Sequence, residues 1–562
     1  MEKRIIEYLL ILVLILLGSV LRANANFTGI PGERLYVVTD RMMYIAGEKI
    51  WFSAFLSMQD ASQDYKPSSI MYCELITPDG NSILKGKFLI HDSSSEGCMP
   101  IPEKCITGIY YLKSYTRLMR NGNPGDYSYI MLKIINPLKA EVLAGQGDSV
   151  PVFNTDSIPA ILKNGTHLVR LASGKISYQP GEQILFQTDG ILSTGLASKL
   201  TLSIVPKAAL EFMQVDGNKC VLPLTNEHYF SENQGVSLSG RAMIKGSRQP
   251  LQGIKINLSI IGDRDIMAVR TDSSGRFFFA LPDHEGSRDI FLCAENQPGI
   301  SSEIYIDNDF CTRPVKLPSP VFSLSREEKE TAYKLAVNSR LTDLFDVGEV
   351  VTDTVDTQVH QPFYGKPIDI LSLDYYISLP TMEDFFRELP VMVQVRKSHG
   401  QRYFRYLYPQ AEMLIYDPLV LIDWVAVDDI ERLLAVSPLK IDRIEFVNTP
   451  YVKGNITYGG IISFISKEND FAGIDLPASG TFINYSFLES CTGKVPDDQI
   501  HGNHPDSRNT VYWNPDVKLK DSGKSEISVY APGTPGKYLA VLRGMNSNGE
   551  MIFQSLEFEV KQ

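Results

Sequence analysis

The sequence lacks the short motifs that mark common enzyme sites. It contains no Cys-x-x-Cys pair, no His-Glu-x-x-His or His-x-x-Glu spacing, no Gly-x-Ser-x-Gly elbow and no Walker A loop. Each of these patterns is required by a known class of site or enzyme. The classes are zinc knuckles, thioredoxin-type sites, zinc peptidases, serine hydrolases with a nucleophile elbow, and P-loop enzymes. We therefore predict a protein that is not an enzyme, with no catalytic residue, no cofactor and no resident metal.

The chain also lacks an excess of positive charge. Its 562 residues carry a net charge of −12, with 21% charged and 44% hydrophobic residues. A general nucleic-acid binder needs a basic face, so no nucleic-acid partner is expected. The apolar content is too high for a disordered chain. The length predicts three to five domains.

Long apolar runs are absent except at the start of the chain. A basic opening, the apolar stretch Leu9–Val20 and the small residues Ala23 and Ala25 form a secretory signal pattern over 1–25, with cleavage between Ala25 and Asn26. The alternative is an uncleaved anchor, but the stretch is shorter than the ~20 residues that span a bilayer. We expect a secreted protein with no membrane span after cleavage.

Cysteine is scarce and odd in number, with seven residues, so at least one thiol stays unpaired. Cys98 with Cys105, and Cys293 with Cys311, are candidate pairs in an oxidising compartment. Buried single thiols are an equally good interpretation of each.

One nine-residue motif is present twice, as YIAGEKIWF at 44–52 and as YQPGEQILF at 178–186. Each copy has an aromatic residue, a Gly-Glu step and a short apolar run. Glycine permits a turn that other residues avoid, and the apolar run predicts a strand that faces a core. The motif predicts two related β domains.

The first copy follows LYVVTDRMMY at 35–44, and together they resemble the opening of macroglobulin-like domains of the α2-macroglobulin type. Ala46 replaces the proline of that pattern, which the second copy keeps as Pro180. The resemblance implies β sandwiches, which we place at 26–145 and 160–233. The family's Cys-Gly-Glu-Gln thioester is not expected, because the Gly-Glu-Gln of the second copy follows Pro180, which supplies no thiol.

A third β unit is expected at 234–305. Its strand-turn-strand order, with the turn Asp272–Gly275, resembles the carboxypeptidase-regulatory-like sandwich, a fold that implies no peptidase activity. The next segment, 306–369, is predicted to contain a helix and a linker. The helix is expected because Ser325 and Glu328 have the spacing of a capping box.

Segment 370–480 mixes helix and strand signals. A capped helix at 381–389, a strand ending at Asp423, the strand IDRIEFV at 441–447 and the ending YGGII at 458–462 resemble the plug domain of TonB-dependent receptors. Trp424 stands where that family has glycine. Fewer than 100 residues follow Lys467, too few for the family's large barrel. We expect a barrel-less, plug-like α+β domain, followed by a C-terminal β domain at 505–562.

The predicted fold class is mainly β and multidomain, with serial immunoglobulin-like or macroglobulin-like sandwiches and one small α+β plug-like domain. The whole chain resembles Bacteroidota envelope proteins that join these domains in this order. That resemblance implies the envelope of a Gram-negative bacterium, in the periplasm or at the outer-membrane surface.

Three sets of residues are candidate sites. The loop with His501 and His504 could hold a metal, although a solvated loop explains it better. Asp428 and Asp429 are better explained as a helix N-terminus than as an acid/base or calcium pair. Asp-[Ser/Thr]-hydrophobic triplets, which resemble the O-glycosylation acceptors of Bacteroidota, are centred on the following residues: Ser149, Ser157 and Thr354.

The leading hypothesis is a non-enzymatic scaffold or accessory subunit that contacts an outer-membrane protein in an uptake or secretion complex. The alternative is a surface protein that binds a glycan or peptide through loops. For this alternative, Trp513 is expected to be partly exposed, whereas Trp51 and Trp424 are expected in the core. An enzyme whose site is assembled across domains is the third hypothesis.

Overall fold

A computed structural model describes most of the chain between residues 32 and 561. The described ranges are 32–59, 65–148, 152–153, 169–190, 198–210, 212–213, 228–345 without 296 and 298, 361–376, 379–389, 392–398, 400–407, 409–476, 480–491, 506–518, 524–546, 549 and 551–561. Strands dominate these ranges, which confirms the predicted mainly β, multidomain fold. The chain divides into two compact units: unit 1 contains 1–233, 313–348 and 489–562, and unit 2 contains 234–312 and 349–488.

Strands and α-helices are numbered along the described chain. Unit 1 contains β1 Gly32–Thr39, β2 Met43–Ile45, β3 Lys49–Gln59, β4 Ile70–Ile76, β5 Ser82–Leu89, β6 Ser94–Pro100, β7 Gly108–Thr116, β8 Ser128–Ile135, β9 Val152–Phe153, β10 Val169–Ser173, β11 Ser177–Tyr178, β12 Gln183–Gly190, β13 Ser198–Pro206, β14 Phe212–Met213, α1 Arg326–Phe345, β31 Tyr512–Asn514, β32 Lys524–Tyr530, β33 Gly536–Asn546 and β34 Met551–Val560.

Unit 1 holds two sandwiches of identical strand topology. In the first, β1-β3-β6 faces β2-β8-β7-β4-β5. In the second, β10-β12-β32 faces β11-β34-β33-β13-β31. If the eight strands of each sandwich are counted along the chain, strands one, three and six form one sheet in both sandwiches. The other sheet has the order two, eight, seven, four, five in both.

The second sandwich corrects the predicted domain division. Its first four strands come from the predicted domain at 160–233, and its last four come from the predicted C-terminal domain at 505–562. β12 pairs with β32 and β13 pairs with β33, so neither segment forms a sandwich alone. The chain leaves this sandwich after β13 and returns at β31.

The repeated Gly-Glu motif explains how each sandwich begins. β2 pairs in parallel with β8, and β11 pairs in parallel with β34, so the first chain segment crosses from one sheet to the other. Gly47 (φ +99°) and Gly181 (φ +73°) provide the left-handed turn. Glu48 and Glu182 then accept hydrogen bonds from the backbone N–H groups of Ile45 (2.6 Å) and Gln179 (2.9 Å). The carboxylate closes the turn in both copies.

Helix α1 begins with the capping box expected from the sequence. The Ser325 hydroxyl accepts from the Glu328 N–H (3.2 Å), and the Glu328 carboxylate accepts from the Ser325 N–H (2.7 Å). Ala332 and Leu335 on the inner face of α1 pack against Met43 of β2. The predicted segment 306–369 is therefore divided, because 313–348 belongs to unit 1.

Unit 2 contains a sandwich and a mixed sheet. Its elements are β15 Ser237–Ile244, β16 Lys255–Ile260, β17 Ile266–Arg270, β18 Arg276–Ala280, β19 Ser287–Ala294, β20 Ser302–Ile306, β21 Asp369–Ser372, α2 Met382–Glu388, β22 Val393–Ser398, β23 Gln401–Tyr406, β24 Leu419–Ile422, β25 Val425–Ala426, α3 Ile430–Leu434, β26 Ile441–Val447, β27 Tyr451–Lys453, β28 Ile456–Tyr458, β29 Ile461–Ser466 and β30 Thr481–Ser486.

The sandwich of unit 2 pairs the sheets β18-β15-β20 and β17-β16-β19-β30, and its last strand comes from beyond the mixed sheet in sequence. The mixed sheet has the order β21-β26-β29-β24-β25. Helices α2 and α3 supply Met382, Phe385, Leu433 and Leu434 to the core that includes β24 and β29.

Trp424 occupies a backbone position that favours glycine. Its φ is +65°, next to Asp423 at +47°, and both angles lie in the left-handed region that side chains other than glycine rarely adopt. The Asp423 carboxylate accepts hydrogen bonds from the N–H groups of Ser466 (2.7 Å) and Phe471 (2.9 Å), which hold the turn. The guanidinium of Arg264 lies 4.2 Å from the centroid of the Trp424 ring, a cation–π distance.

Neither candidate cysteine pair forms, whereas the alternative of buried single thiols holds for Cys105, Cys293 and Cys311, and the expected exposure of Trp513 is wrong. Cys98 forms a disulfide with Cys491, and the other described cysteines are buried free thiols, namely Cys73, Cys105, Cys293 and Cys311. Local spacing could not reveal this pair, because Cys491 lies where the chain returns to unit 1. Trp513 is only 3% exposed, because it packs in a cluster with Trp51 and Cys98.

Candidate interaction surface

An apolar surface surrounds the first strand of the mixed sheet. β21 pairs with β26 on one side, and none of the described strands pairs with its other side. Ile368 and Ile370 are 57% and 52% exposed. β21 leads into the 3-10 turn Leu373–Tyr375, against which the turn Pro438–Lys440 packs. We call the exposed residues of these elements the edge surface; they are Ile368, Ile370, Tyr375, Tyr376 and Leu439.

A groove continues from the edge surface towards α2. Its volume is about 600 Å³. We call it the tyrosine groove; it is lined by Tyr375, Tyr376, Leu379, Pro380, Asp384, Arg387, Glu388 and Leu389. Tyr375 is 88% exposed and Tyr376 is 42% exposed at its mouth. Large apolar side chains exposed together in this way are typical of interaction sites.

The amphipathic pattern of α2 positions the wall of the groove. Met382, Phe385 and Phe386 are buried, and the Phe386 ring packs edge-on against Phe404. The opposite face presents Asp384 and Arg387 to the groove, as the helical period requires. The Tyr376 ring packs edge-on against Phe385 at 5.8 Å, which connects the mouth of the groove to the core.

The charged wall is held by internal hydrogen bonds. The Thr381 hydroxyl caps α2 by accepting from the Asp384 N–H (3.2 Å), and it donates to the Asp384 carboxylate (2.7 Å). Arg387 donates to Asp384 (2.6 Å) and to Glu388 (3.1 Å). The Thr381 hydrogen bond and then the Arg387 charge lower the pKa of Asp384. Two carboxylates and one guanidinium leave the wall with one net negative charge.

The residues predicted for cleavage, modification and metal binding are not among those that the structure describes. Ala25, Asn26, Ser149, Ser157, Thr354, His501 and His504 all lie outside the described residues. Within the described ranges, no group of three His, Cys, Asp or Glu side chains could hold a metal ion. Among the same residues, no helix is both long and apolar enough to cross a membrane.

Asp429 does occupy the N-cap position of α3, but its side chain makes no capping hydrogen bond. It pairs instead with Arg432 at 3.1 Å. The Asp429 carboxylate is thus paired with Arg432 rather than with the backbone N–H groups at the start of α3.

Sequence reasoning missed the edge surface. Its signal is the pair Tyr375-Tyr376, two large aromatic residues that precede the capped helix and belong to no alternating strand pattern. Only the structure shows that both side chains remain accessible beside an unpaired strand edge.

Comparisons with known proteins give weak likenesses. No protein-family model and no curated protein matches the chain. Among solved structures, it is similar to Escherichia coli alpha-2-macroglobulin activated by porcine elastase, with 11% identity over 94% of this chain and 44% of that chain, and a TM-score of 0.23. Salmonella alpha-2-macroglobulin reacted with methylamine gives 10% identity over 95% and 40%, with a TM-score of 0.23.

The Yersinia pseudotuberculosis adhesin InvE gives 10% identity over 78% of this chain and 94% of that chain, with a TM-score of 0.12. The chain spans less than half the length of the two macroglobulins. These TM-scores are too low to indicate a common fold, so the description of the sandwiches rests on their own sheet topology.

Proposed function

We propose that the protein is a non-enzymatic scaffold or accessory subunit of a Gram-negative cell envelope, in the periplasm or at the outer-membrane surface. In this role it binds an outer-membrane protein of an uptake or secretion complex through the edge surface and the tyrosine groove. The observation that carries the proposal is the exposed apolar edge of β21, which continues into a groove of about 600 Å³.

A disulfide bond supports the proposed location in the cell envelope. Cys98 and Cys491 form a disulfide. Disulfides form and persist in oxidising compartments, which include the bacterial periplasm. The signal pattern at 1–25 and the cleavage expected between Ala25 and Asn26 agree with export.

The binding mode follows from the edge of the sheet. An unpaired strand edge offers backbone N–H and C=O groups to an extended segment, which adds as a further strand. β21 has one charged side chain, Asp369, while Ile370 and the preceding Ile368 are exposed. The partner is therefore an extended segment with apolar side chains, which would cover both isoleucines.

The groove defines one further feature of the partner. Leu379, Pro380 and Leu389 give the groove apolar lining, and Tyr375 and Tyr376 offer ring faces at its mouth. A large apolar or aromatic side chain of the partner fits this environment. The wall carries one net negative charge, so a neutral or basic neighbouring residue is favoured over an acidic one.

Site-specific photo-crosslinking tests the proposal. p-Benzoylphenylalanine replaces Tyr375 in the full chain, and intact cells of the source bacterium are irradiated. The matched control places the same group at Tyr333, which is 74% exposed on α1 in unit 1. The expected result is an adduct from position 375 alone, in which mass spectrometry maps an extended apolar segment of an outer-membrane protein.

A second variant tests the strand edge. Ile370→Arg places a charge on the exposed edge while the folded core is retained, and it should abolish the adduct from position 375. Equal adducts from positions 375 and 333, an absence of adducts, or an adduct that Ile370→Arg leaves intact would each refute the proposal.

A further inference from the structure

Three consecutive apolar residues are exposed in the loop that precedes β24. Leu414, Ile415 and Tyr416 are 53%, 75% and 38% exposed. We call these three residues the apolar loop. Large apolar side chains exposed side by side are typical of surfaces that contact another protein or a membrane. A partner that covers the apolar loop would remove these side chains from water.

The backbone on both sides holds the apolar loop in this orientation. Met413, which precedes it, is 3% exposed and packs in the core of the mixed sheet. The Gly459 N–H donates to the Asp417 carbonyl (2.9 Å). A Cβ atom on Gly459 would lie 2.0 Å from the Tyr416 carbonyl oxygen, so this close approach requires glycine. The apolar side chains are therefore exposed on a loop that is anchored at each end.

A β-hairpin beside this loop carries two arginines on its outer face. In β22, Val393 is buried, whereas Arg396, which points to the opposite face, is exposed. Arg405 of β23 lies on the same outer face, because it is two residues beyond Tyr403, the residue opposite Arg396. Arg396 and Arg405 are thus diagonal neighbours, about 7–8 Å apart.

The contacts of the two arginines leave both charges unneutralised. The Arg405 guanidinium donates to the Leu414 carbonyl (3.1 Å), which places its charge beside the apolar loop. The Arg396 guanidinium donates to the side-chain oxygen of Gln394 (3.4 Å). Both acceptors are neutral, and neither arginine forms an ion pair with a carboxylate of the residues that the structure describes. Each guanidinium keeps further N–H donors for an anionic group.

We propose that the apolar loop and these two arginines bind the surface of a bilayer that contains anionic phospholipids. Leu414 and Ile415 enter the boundary between headgroups and acyl chains, and Tyr416 stays at the level of the headgroups, where its hydroxyl remains hydrated. Arg396 and Arg405 donate hydrogen bonds to lipid phosphates. In this arrangement unit 2 lies on the bilayer without spanning it.

The combination of features favours a lipid surface over a protein partner. A protein that covers a projecting apolar side chain needs a pocket of matching shape, whereas a bilayer accepts such a side chain without one. The phosphates of the bilayer supply negative charge to both arginines. Asp417, which is exposed directly after the loop, opposes this attraction. The site does not use the edge surface, so it stands independently of the function proposed above.

Flotation with lipid vesicles tests the inference on the full chain, purified from its own bacterium. The vesicles contain phosphatidylcholine alone, or phosphatidylcholine with an equal part of phosphatidylglycerol. We expect at least about tenfold tighter binding to the vesicles with phosphatidylglycerol, because only these attract the two arginines. Added salt should reduce the difference. An absence of binding to the anionic vesicles, or equal binding to both kinds, would overturn the proposal.

Matched variants test the apolar part of the contact. Ile415→Ser removes the most exposed side chain of the loop and should weaken binding to the anionic vesicles by about tenfold. Ile370→Ser changes the edge surface instead, where 52% of the side chain is exposed, and is the control. It should leave binding within about twofold, because it lies outside the proposed contact. Equal losses in both variants would overturn the site.

Charge variants test the ionic part. Arg396→Gln should weaken binding to the anionic vesicles by about fivefold, and Asp417→Asn should strengthen it by up to about fivefold. Arg248→Gln, which changes an exposed arginine in the sandwich of unit 2, is the control and should have an effect below about twofold. Unchanged binding of Arg396→Gln, or weaker binding of Asp417→Asn, would contradict recognition of an anionic bilayer.

Fluorescence quenching shows whether the loop enters the lipid. Ile415→Trp places an indole on the apolar loop, and Ile370→Trp places one on the edge surface as the control. Lipids with brominated acyl chains should quench the indole at position 415 and leave the one at position 370 unaffected. Equal quenching at both positions, or no quenching at position 415 in the bound protein, would overturn the proposal.

Discussion

Cys98 of β6 and Cys491 are joined by a disulfide although 393 residues separate them in sequence, with Cα atoms 5.4 Å apart. Cys491 comes three residues after the end of unit 2, and the Glu489 N–H donates to the Lys87 carbonyl (2.8 Å) beside it. The bridge therefore fixes the returning chain to the first sandwich.

Removing this bridge should lower stability markedly. Cys98→Ser with Cys491→Ser is expected to reduce the free energy of unfolding by about 2–5 kcal/mol, because the unfolded chain regains the freedom of a long closed loop. Urea unfolding of the oxidised protein measures the loss. Cys105→Ser is the control, and a non-reducing peptide map of it should still contain the linked Cys98 and Cys491 peptides. A linked Cys98–Cys105 peptide in the wild type would contradict this connectivity.

Glycine should be tolerated better than alanine at Trp424. Both substitutions remove the ring and its contact with Arg264, but only glycine adopts φ +65° without strain. We expect Trp424→Gly to be about 1 kcal/mol more stable than Trp424→Ala. Thermal and urea unfolding compare the two variants.

Trp51 provides the reverse comparison. It lies in β3, where the backbone is extended, so Trp51→Gly should be about 0.5–1 kcal/mol less stable than Trp51→Ala. If the glycine variant were the more stable one at both positions, or the less stable one at both, the backbone conformation of Trp424 would not be the cause of the difference between Trp424→Gly and Trp424→Ala.

Asp506 should make the free energy of unfolding depend on pH in the acidic range. Burial alone would raise the pKa of its carboxyl, but the hydrogen bonds and charge of Arg508, 2.8 Å away, hold the pKa below its ordinary value. A depressed folded-state pKa stabilises the fold above the unfolded-state pKa, and this stability is lost as pH falls through the folded-state pKa.

Asp506→Asn should therefore cost about 1–2 kcal/mol at pH 7, and the cost should shrink as pH falls below about 4. Asp516→Asn, which affects an exposed pair with Lys518, is the control and should change stability little at any pH. A cost of Asp506→Asn that is constant from pH 7 to pH 3 would be incompatible with this account.

The capping box of α1 should contribute measurably to the stability of unit 1. Ser325→Ala removes the acceptor for the Glu328 N–H and should cost about 1 kcal/mol. Ser323→Ala changes an exposed serine outside the helix and should have little effect. Unfolding followed by circular dichroism measures both. Equal effects of the two variants would argue against a capping role.

The sequence predicted local features well where one short motif determines them. The repeated Gly-Glu step predicted a turn before a strand in both copies, because a glycine at positive φ and a returning carboxylate are local requirements. That each turn lies where the chain crosses between sheets is known only from the structure. The spacing of Ser325 and Glu328 predicted the start of α1 for the same reason. Each of these interactions spans only a few residues.

Long-range pairing was not predictable in this way. The predicted domain at 160–233 has fewer residues than the roughly 100 that a sandwich requires, and this shortfall was the only signal that strands were missing. Alternation along β34 indicates a half-buried strand but not its partner. The disulfide, the burial of Trp513 and the exposure of Tyr375 all depend on such distant pairings.

The divided second sandwich has a consequence for biosynthesis. After β13 has been made, roughly 300 further residues must be added before β31 appears, which takes about 15–60 s at ordinary rates of translation. During this interval β10–β13 have been made but β31–β34 have not, so the apolar faces of these first four strands stay exposed. Chains interrupted anywhere in this interval would retain that exposure, so a protease that recognises open strands would remove incomplete copies selectively.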